Sequence, residues 1–169
     1  MDVFDAIKTL LAVREYAQKP VPDDVVRRIL DAGRLTGSAM NRQHWDFVVV
    51  RQPENLQRLG QLAAHGPYIA QAALAIAIVV PEGALGYIDG ARAVQDMMLV
   101  AWEVGVGSNW VGNVNSAPIR EMLNIPQDRM VLTLIPFGYP AKSVGAGIKN
   151  RKPLEAVAHT EKFGQPFPS

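Results

Sequence analysis

Three apolar runs, Phe47–Val50, Leu74–Val80 and Val131–Phe137, limit the folds open to this chain more than any other feature. Each is rich in aliphatic or β-branched residues. Each is also closed by turn formers: Gln52-Pro53, Pro81-Glu82-Gly83 and Gly138-Tyr139-Pro140. Such runs read as buried strands. Between them the apolar spacing changes to three and four. Val3, Ile7 and Leu10 or Leu11 predict a first helix over Val3–Leu11, with Asp2 as its cap. Asp23 and Asp24 precede Val25, Val26, Ile29, Leu30 and Gly33, which predicts a second helix ending near Thr36-Gly37-Ser38, with Arg27 and Arg28 on its wet side. Pro53 opens a short helix through Leu62. Asp89 caps a long one in which Val94, Met97, Met98, Ala101 and Val104 leave little polar face, so it should be buried. Ser108–Val114 reads as a strand, and Ser116 with Pro118 starts a helix over Ile119–Leu123. Irregular alternation of this kind predicts an α+β or α/β layered fold.

At 169 residues a single domain spanning 1–169 is expected, and 49% hydrophobic residues exclude disorder over the whole chain. Seventeen basic against sixteen acidic residues leave a net charge of +1, which gives no electrostatic case for nucleic acid or an anionic membrane. The N-terminus mixes Asp2, Asp5 and Lys8 into its apolar residues and does not read as a signal peptide; Ile69–Pro81 is too short to span a bilayer. With no cysteine there is no disulfide framework or thiolate nucleophile, which suits the cytoplasm, and any redox chemistry must come from a cofactor. Residues 145–169 differ from the rest, with poor periodicity, several Gly and Pro residues and a basic cluster. Phe163 and Phe167 would let this arm lie across another surface.

Several chemistries lack a signature. Gly105-Val106-Gly107 begins like a dinucleotide fingerprint, but Trp110 stands at the third glycine and a helix precedes it. Lys149 lacks P-loop spacing, the three histidines have no zinc pairing, and no Gly-x-Ser-x-Gly elbow occurs. What remains is polar residues at element ends. Asn41 and Gln43, in the loop before the first strand, offer amides suited to a heteroaromatic edge; taken alone, Ser38 and Asn41 read first as turn formers. Lys149 and Arg151 suit a phosphate, or form a solvated basic loop. Arg14 suits a ligand, or the negative end of the first helix.

The order of five segments resembles the FMN-dependent nitroreductase family across nearly the whole chain. They are Ala12-Val13-Arg14-Glu15-Tyr16; Gly37–Trp45 running into Phe47–Val50; Gly105–Gly112; Ile135–Pro140; and Lys149–His159. The resemblance implies an α+β fold: a three-layer α/β/α sandwich with a central, mainly antiparallel sheet, built as an intertwined homodimer with FMN at the interface. It implies that Ser38, Ala39, Asn41 and Gln43 reach the flavin from the partner subunit. The backbone of Trp110, Val111 and Gly112 would pass the ring, and Lys149 and Arg151 would clamp the phosphate. The family's Arg-Arg-Ser-x-Arg falls on Leu10-Leu11-Ala12-Val13-Arg14, so only the last arginine is kept.

The implied activity is transfer of electrons from NADH or NADPH, through FMN, to a nitroaromatic, quinone or related small acceptor by a ping-pong route. No dedicated catalytic acid or base and no metal is called for. Arg14 would offset negative charge near the ring's N1 and C2 carbonyl. Two other readings stay open: a flavin carrier or degenerate member without turnover, and a layered domain with another small ligand.

Overall fold

A computed structural model describes residues 1–144 and 149–168. Helix α1 (Val3–Thr9) is capped as the sequence predicts, with the Asp5 amide donating to the Asp2 carboxylate at 2.7 Å. It stops before Leu11 because Leu10 has already left helical geometry, at ψ 120°. Helix α2 (Asp23–Leu35) follows, then β1 (Asp46–Val50), α3 (Pro53–Leu62) with proline in its first turn, and β2 (Leu74–Pro81). After these come α4 (Ala84–Glu103), β3 (Gly107–Ser108), α5 (Ala117–Met122) and β4 (Arg129–Gly138).

The strands form one sheet in the order β1-β2-β4-β3, antiparallel throughout. Because side chains alternate along a strand, β2 builds two cores at once. Leu74, Ile76, Ile78 and Val80 pack with Val26 and Ile29 of α2 and Ala93, Val94, Met97 and Ala101 of α4. Ala75 and Ala77 point the other way, to Leu56 and Leu59 of α3, Ile69 and Ile119 of α5. The product is the expected α/β/α sandwich.

Layer spacing depends on glycine in α4. A Cβ built on Gly90 would lie 2.6 Å from Leu132 Cδ2 and 2.9 Å from Val80 Cγ1, so the helix rests directly on the sheet. Gly90→Val should therefore destabilise the fold by about 1–3 kcal/mol through overpacking. Denaturant midpoints read this, and an unchanged midpoint would mean that the layers part freely.

Four expectations need correction. α4 begins five residues before Asp89, which is not its cap but a buried residue inside it. α4 is also not buried all round in the chain: Leu85, Tyr87 and Ile88 are exposed. Ser108–Val114 is not a strand. Only Gly107 and Ser108 pair with β4, Val111 makes a lone bridge to Leu134, and Asn113 at φ 57° turns the chain away. The last helix, α5, starts at Ala117 and ends at Met122, and the Ser116 side chain forms no capping bond.

Residues 145–148, where the arm was expected to begin, lie outside the described residues. From Lys149 to Pro168 the chain is mostly exposed and curls on itself, with the Phe167 amide donating to the Ala158 carbonyl and the His159 and Phe163 rings 4.6 Å apart. Phe163 is 94% exposed and Phe167 54%. No described helix is long and apolar enough to cross a membrane.

Candidate functional site

The chain leaving α1 runs beside β3. The Val13 amide donates to the Ser108 carbonyl at 2.9 Å, and Ala12 bridges Ser108 in parallel. Gly107 permits this approach, since a Cβ there would meet Val13 Cγ2 at 2.5 Å. Arg14 is thereby held at the β3 end of the sheet, on a groove of about 220 Å³ lined by Ala12–Glu15 and Lys142–Val144. Tyr16, next along, is buried. Its hydroxyl donates to the Val13 and Pro136 carbonyls, and burial pushes it well above the usual phenol range, so it stays protonated.

Among the described residues of this groove, Arg14 is a cation without a carboxylate partner. Its guanidinium lies 6.0 Å from the Tyr68 ring centroid, at the outer limit of a cation–π contact, and no described carboxylate pairs with it. Lys142 differs: its ammonium is 2.8 Å from Glu15, and that contact raises the lysine pKa and lowers the glutamate pKa. Tyr68 also connects Arg14 to the next segment, because its hydroxyl accepts from the buried Asn109 amide, which donates in addition to the Trp110 carbonyl. Val111 is fixed on β4 by bonds to Leu134 and by the Thr133 hydroxyl, which donates to its carbonyl at 2.9 Å. Trp110 is partly exposed, Gly112 follows it, and the buried Ser108 hydroxyl has no hydrogen-bond partner among the described residues.

Lys149 reaches α1 across 142 positions and donates its ammonium to the Ile7 carbonyl. Burial, and then the charge of Arg151, hold its pKa below the ordinary lysine value. No described carboxylate lies within ion-pair distance of Lys149 or Arg151. Two neighbouring cations without a counter-ion, beside the helix that leads to Arg14, suit a multiply charged anion.

Ser38, Ala39, Asn41 and Gln43 stand elsewhere. Their loop includes a helical turn over Ala39–Asn41, and the Gln43 amide donates to Ser38 Oγ at 2.9 Å. Met40, Asn41 and Gln43 all have φ between 52° and 54°, a left-handed geometry that costs a side-chain-bearing residue free energy. The loop is tied to the start of β4, where Arg129 donates to the His44 carbonyl at 3.0 Å. Arg14 sits at the other end of β4, beside Gly138 and Pro140. Nine strand steps at about 3.3 Å put the two groups roughly 30 Å apart along the sheet.

One chain therefore joins Arg14 to Trp110, Val111 and Gly112 through Tyr68 and Asn109, and seats Lys149 on α1. It does not bring the loop to them. Sequence reading missed three residues here. Asn109 lay inside a recognised segment, Tyr68 had no local signal, and Asp89 was concealed by its resemblance to a helix cap.

Fold and site together define a layered α+β protein with a cation-bearing, aromatic-flanked groove at one end of its sheet and a strained amide-bearing loop at the other. A model of the nitroreductase family matches residues 11–85 and 82–139, and the chain belongs to that family. A relative from Methanothermobacter thermautotrophicus, provisionally named NADH dehydrogenase/NAD(P)H nitroreductase, is 34% identical over 155 residues, covering 86% of this chain and 81% of the relative. The solved structure of an FMN-dependent nitroreductase from Clostridium difficile superposes with a TM-score of 0.86 at 25% identity, covering 95% of this chain and 99% of that one. An NADPH:FMN oxidoreductase from Vibrio harveyi, solved with NAD+, shares the fold at a TM-score of 0.87 and 21% identity, covering 96% and 77%.

Proposed function

We propose that this chain is an FMN-dependent NAD(P)H oxidoreductase, working as a homodimer with flavin at the interface and reducing nitroaromatic, quinone or related acceptors by a ping-pong route. The observation that carries this reading is the separation of the two half-sites by the length of β4. Residues suited to a flavin ring and its phosphate are present, yet a single chain cannot close them on one ligand. A groove of about 220 Å³ is also smaller than the roughly 300–1,000 Å³ of complete ligand pockets. A second copy, related by a twofold axis, would supply each site with the missing loop.

The residues fit the cofactor. Among the described residues, Arg14, Lys149 and Arg151 offer cations without carboxylate partners, Ser108 a buried hydroxyl without a bond, and Asn41 and Gln43 amides held in a fixed loop. Bound FMN would supply hydride acceptance from NADH or NADPH and delivery to the acceptor. Lys149 and Arg151 would hold its phosphate, Arg14 would place positive charge beside the ring, and Trp110 would cover one side. We assign the whole of 1–169 to one domain, with 145–169 as an arm on the partner, and place the protein in the cytoplasm.

Apolar surface supports the assembly. Met1, Val3, Ala6, Leu35, Leu99 and Val100 line a groove of about 300 Å³ between α1, α2 and α4, and Val3, Phe4 and Leu35 are each more than 70% exposed. Contiguous patches of this kind mark interaction sites.

A carrier without turnover is the second reading, favoured by Leu10, Leu11 and Ala12 where the family has Arg, Arg and Ser. Purified protein should be yellow and should oxidise NAD(P)H at a rate that rises with added quinone or nitro compound. A yellow protein without turnover would establish the carrier, and a colourless one that takes up no FMN would refute both.

A further inference from the structure

Asp89, Arg92 and Asp96 recur at spacings of three and four and so share one face of α4. That face grips the loop between α2 and β1 at successive points. Asp96 accepts from the Thr36 hydroxyl at 2.5 Å, and the Arg92 guanidinium stands 3.0 Å from where a Gly37 Cβ would be. Asp89 accepts from the Ala39 amide through both oxygens, at 3.1 and 3.3 Å.

Asp89 is the unusual member. Its side chain is 2% exposed, and the nearest group that could carry a positive charge is His44, whose Nε2 is 3.9 Å away and otherwise unpartnered. A carboxylate is a costly residue to bury for packing alone. What it holds is the first amide of a segment in which Met40, Asn41 and Gln43 are all left-handed. Strained backbone of this sort lasts only where its surroundings over-determine it.

We propose that Asp89 is a positioning residue for cofactor binding: by fixing the Ala39 amide from inside α4, its carboxylate sets Ser38, Asn41 and Gln43 in the geometry that the partner's flavin meets. This rests on the FMN reading above. The role differs from that of a residue that merely stabilises the fold, because removing it should harm the flavin site of the opposite subunit and not that of its own.

Asp89→Ala should weaken FMN binding at least about tenfold, since a buried donor loses its acceptor, and should raise KM for the acceptor more than it lowers kcat. Asp89→Asn keeps an acceptor oxygen and should stay within about threefold of wild type. Mixed dimers add the test that folding defects cannot imitate. Pairing an Asp89→Ala subunit with a Lys149→Ala/Arg151→Ala subunit should restore one site of wild-type affinity per dimer, although both sites of either homodimer are weakened. Putting all three changes in one subunit beside a wild-type subunit should restore none. Asp89→Ala binding FMN like wild type, or the reverse pattern in mixed dimers, would overturn the proposal. Amide exchange at residues 37–44 is read in parallel without flavin. Exchange at those residues that is no faster in Asp89→Ala overturns the inference even where wild type itself takes up no FMN, an outcome that separately sinks the FMN reading.

Discussion

Replacing Lys149 and Arg151 together by alanine is expected to weaken FMN binding by roughly 10²–10⁴-fold, the sum of two charge-assisted hydrogen bonds at about 1.5–3 kcal/mol each. The unfolding midpoint should hardly move. Among the described residues Lys149 contributes one bond to the Ile7 carbonyl and Arg151 one to the neighbouring Asn150 carbonyl, so neither supports the core. The asymmetry between binding and stability is the distinguishing result. Leu10, Leu11 and Ala12 stand where the resemblance calls for Arg, Arg and Ser, so the proposed site rests its phosphate on fewer cations. The same logic gives the direction of a pH effect. Burial, and then the charge of Arg151, already hold the Lys149 pKa below the ordinary lysine value, and a bound phosphate would raise it again, so flavin should be held less tightly as pH rises towards the lysine range. Equilibrium titration of FMN into wild type and double variant measures both effects. An unchanged dissociation constant would show that the phosphate lies elsewhere.

The sheet and its helices were readable because their physics is local. Leu74–Val80 has no polar residue, so a strand buried on both faces was the natural reading, and the even and odd positions then assign themselves to the two cores. The errors share a different cause. Asp89 resembles a cap because an acid precedes an apolar run, yet its partner is the Ala39 amide fifty positions earlier. Ser108–Val114 has strand composition, but only Ser108 joins the β4 ladder, Val111 makes a lone bridge to Leu134, and the chain turns away at Asn113. The site shows the same division. Arg14, Lys149 and Arg151 could be proposed from residue type and order, whereas the bond from Lys149 to Ile7 and the chain from Arg14 through Tyr68 to Asn109 depend on long-range placement. The distance along β4 between loop and cations is a property of register, which no stretch of sequence contains.

Deleting residues 160–169 is expected to weaken the dimer and release flavin in the same step. Phe163 is almost fully exposed and Phe167 about half exposed among the described residues. Covering Phe163 fully is worth about 1.5–3 kcal/mol and the exposed half of Phe167 about half that, so losing both should raise the dimer dissociation constant by roughly 10²–10³-fold. Surfaces able to receive the tail are open on the same molecule. β1 is an edge strand with only β2 beside it, and Leu30, Trp45 and Phe47 line a hollow along that edge. Uncovered edges of this kind are a liability that proteins usually cover. Obligate interfaces commonly exceed about 2,000 Å², an area that a clasping tail adds to the α1, α2 and α4 patch. Flavin loss would follow without any tail residue touching the ring, because dissociation withdraws the Asn41 loop from the Arg14 groove. Light scattering across a concentration series, with flavin absorbance recorded on the same samples, reads both effects. If the truncated protein stays a tight dimer with its full flavin, residues 160–169 are a loose end and the clasp lies within 149–159 or in the helices. If the dimer weakens while each monomer keeps its flavin, the two half-sites do not depend on one another, and the interface assignment fails with them.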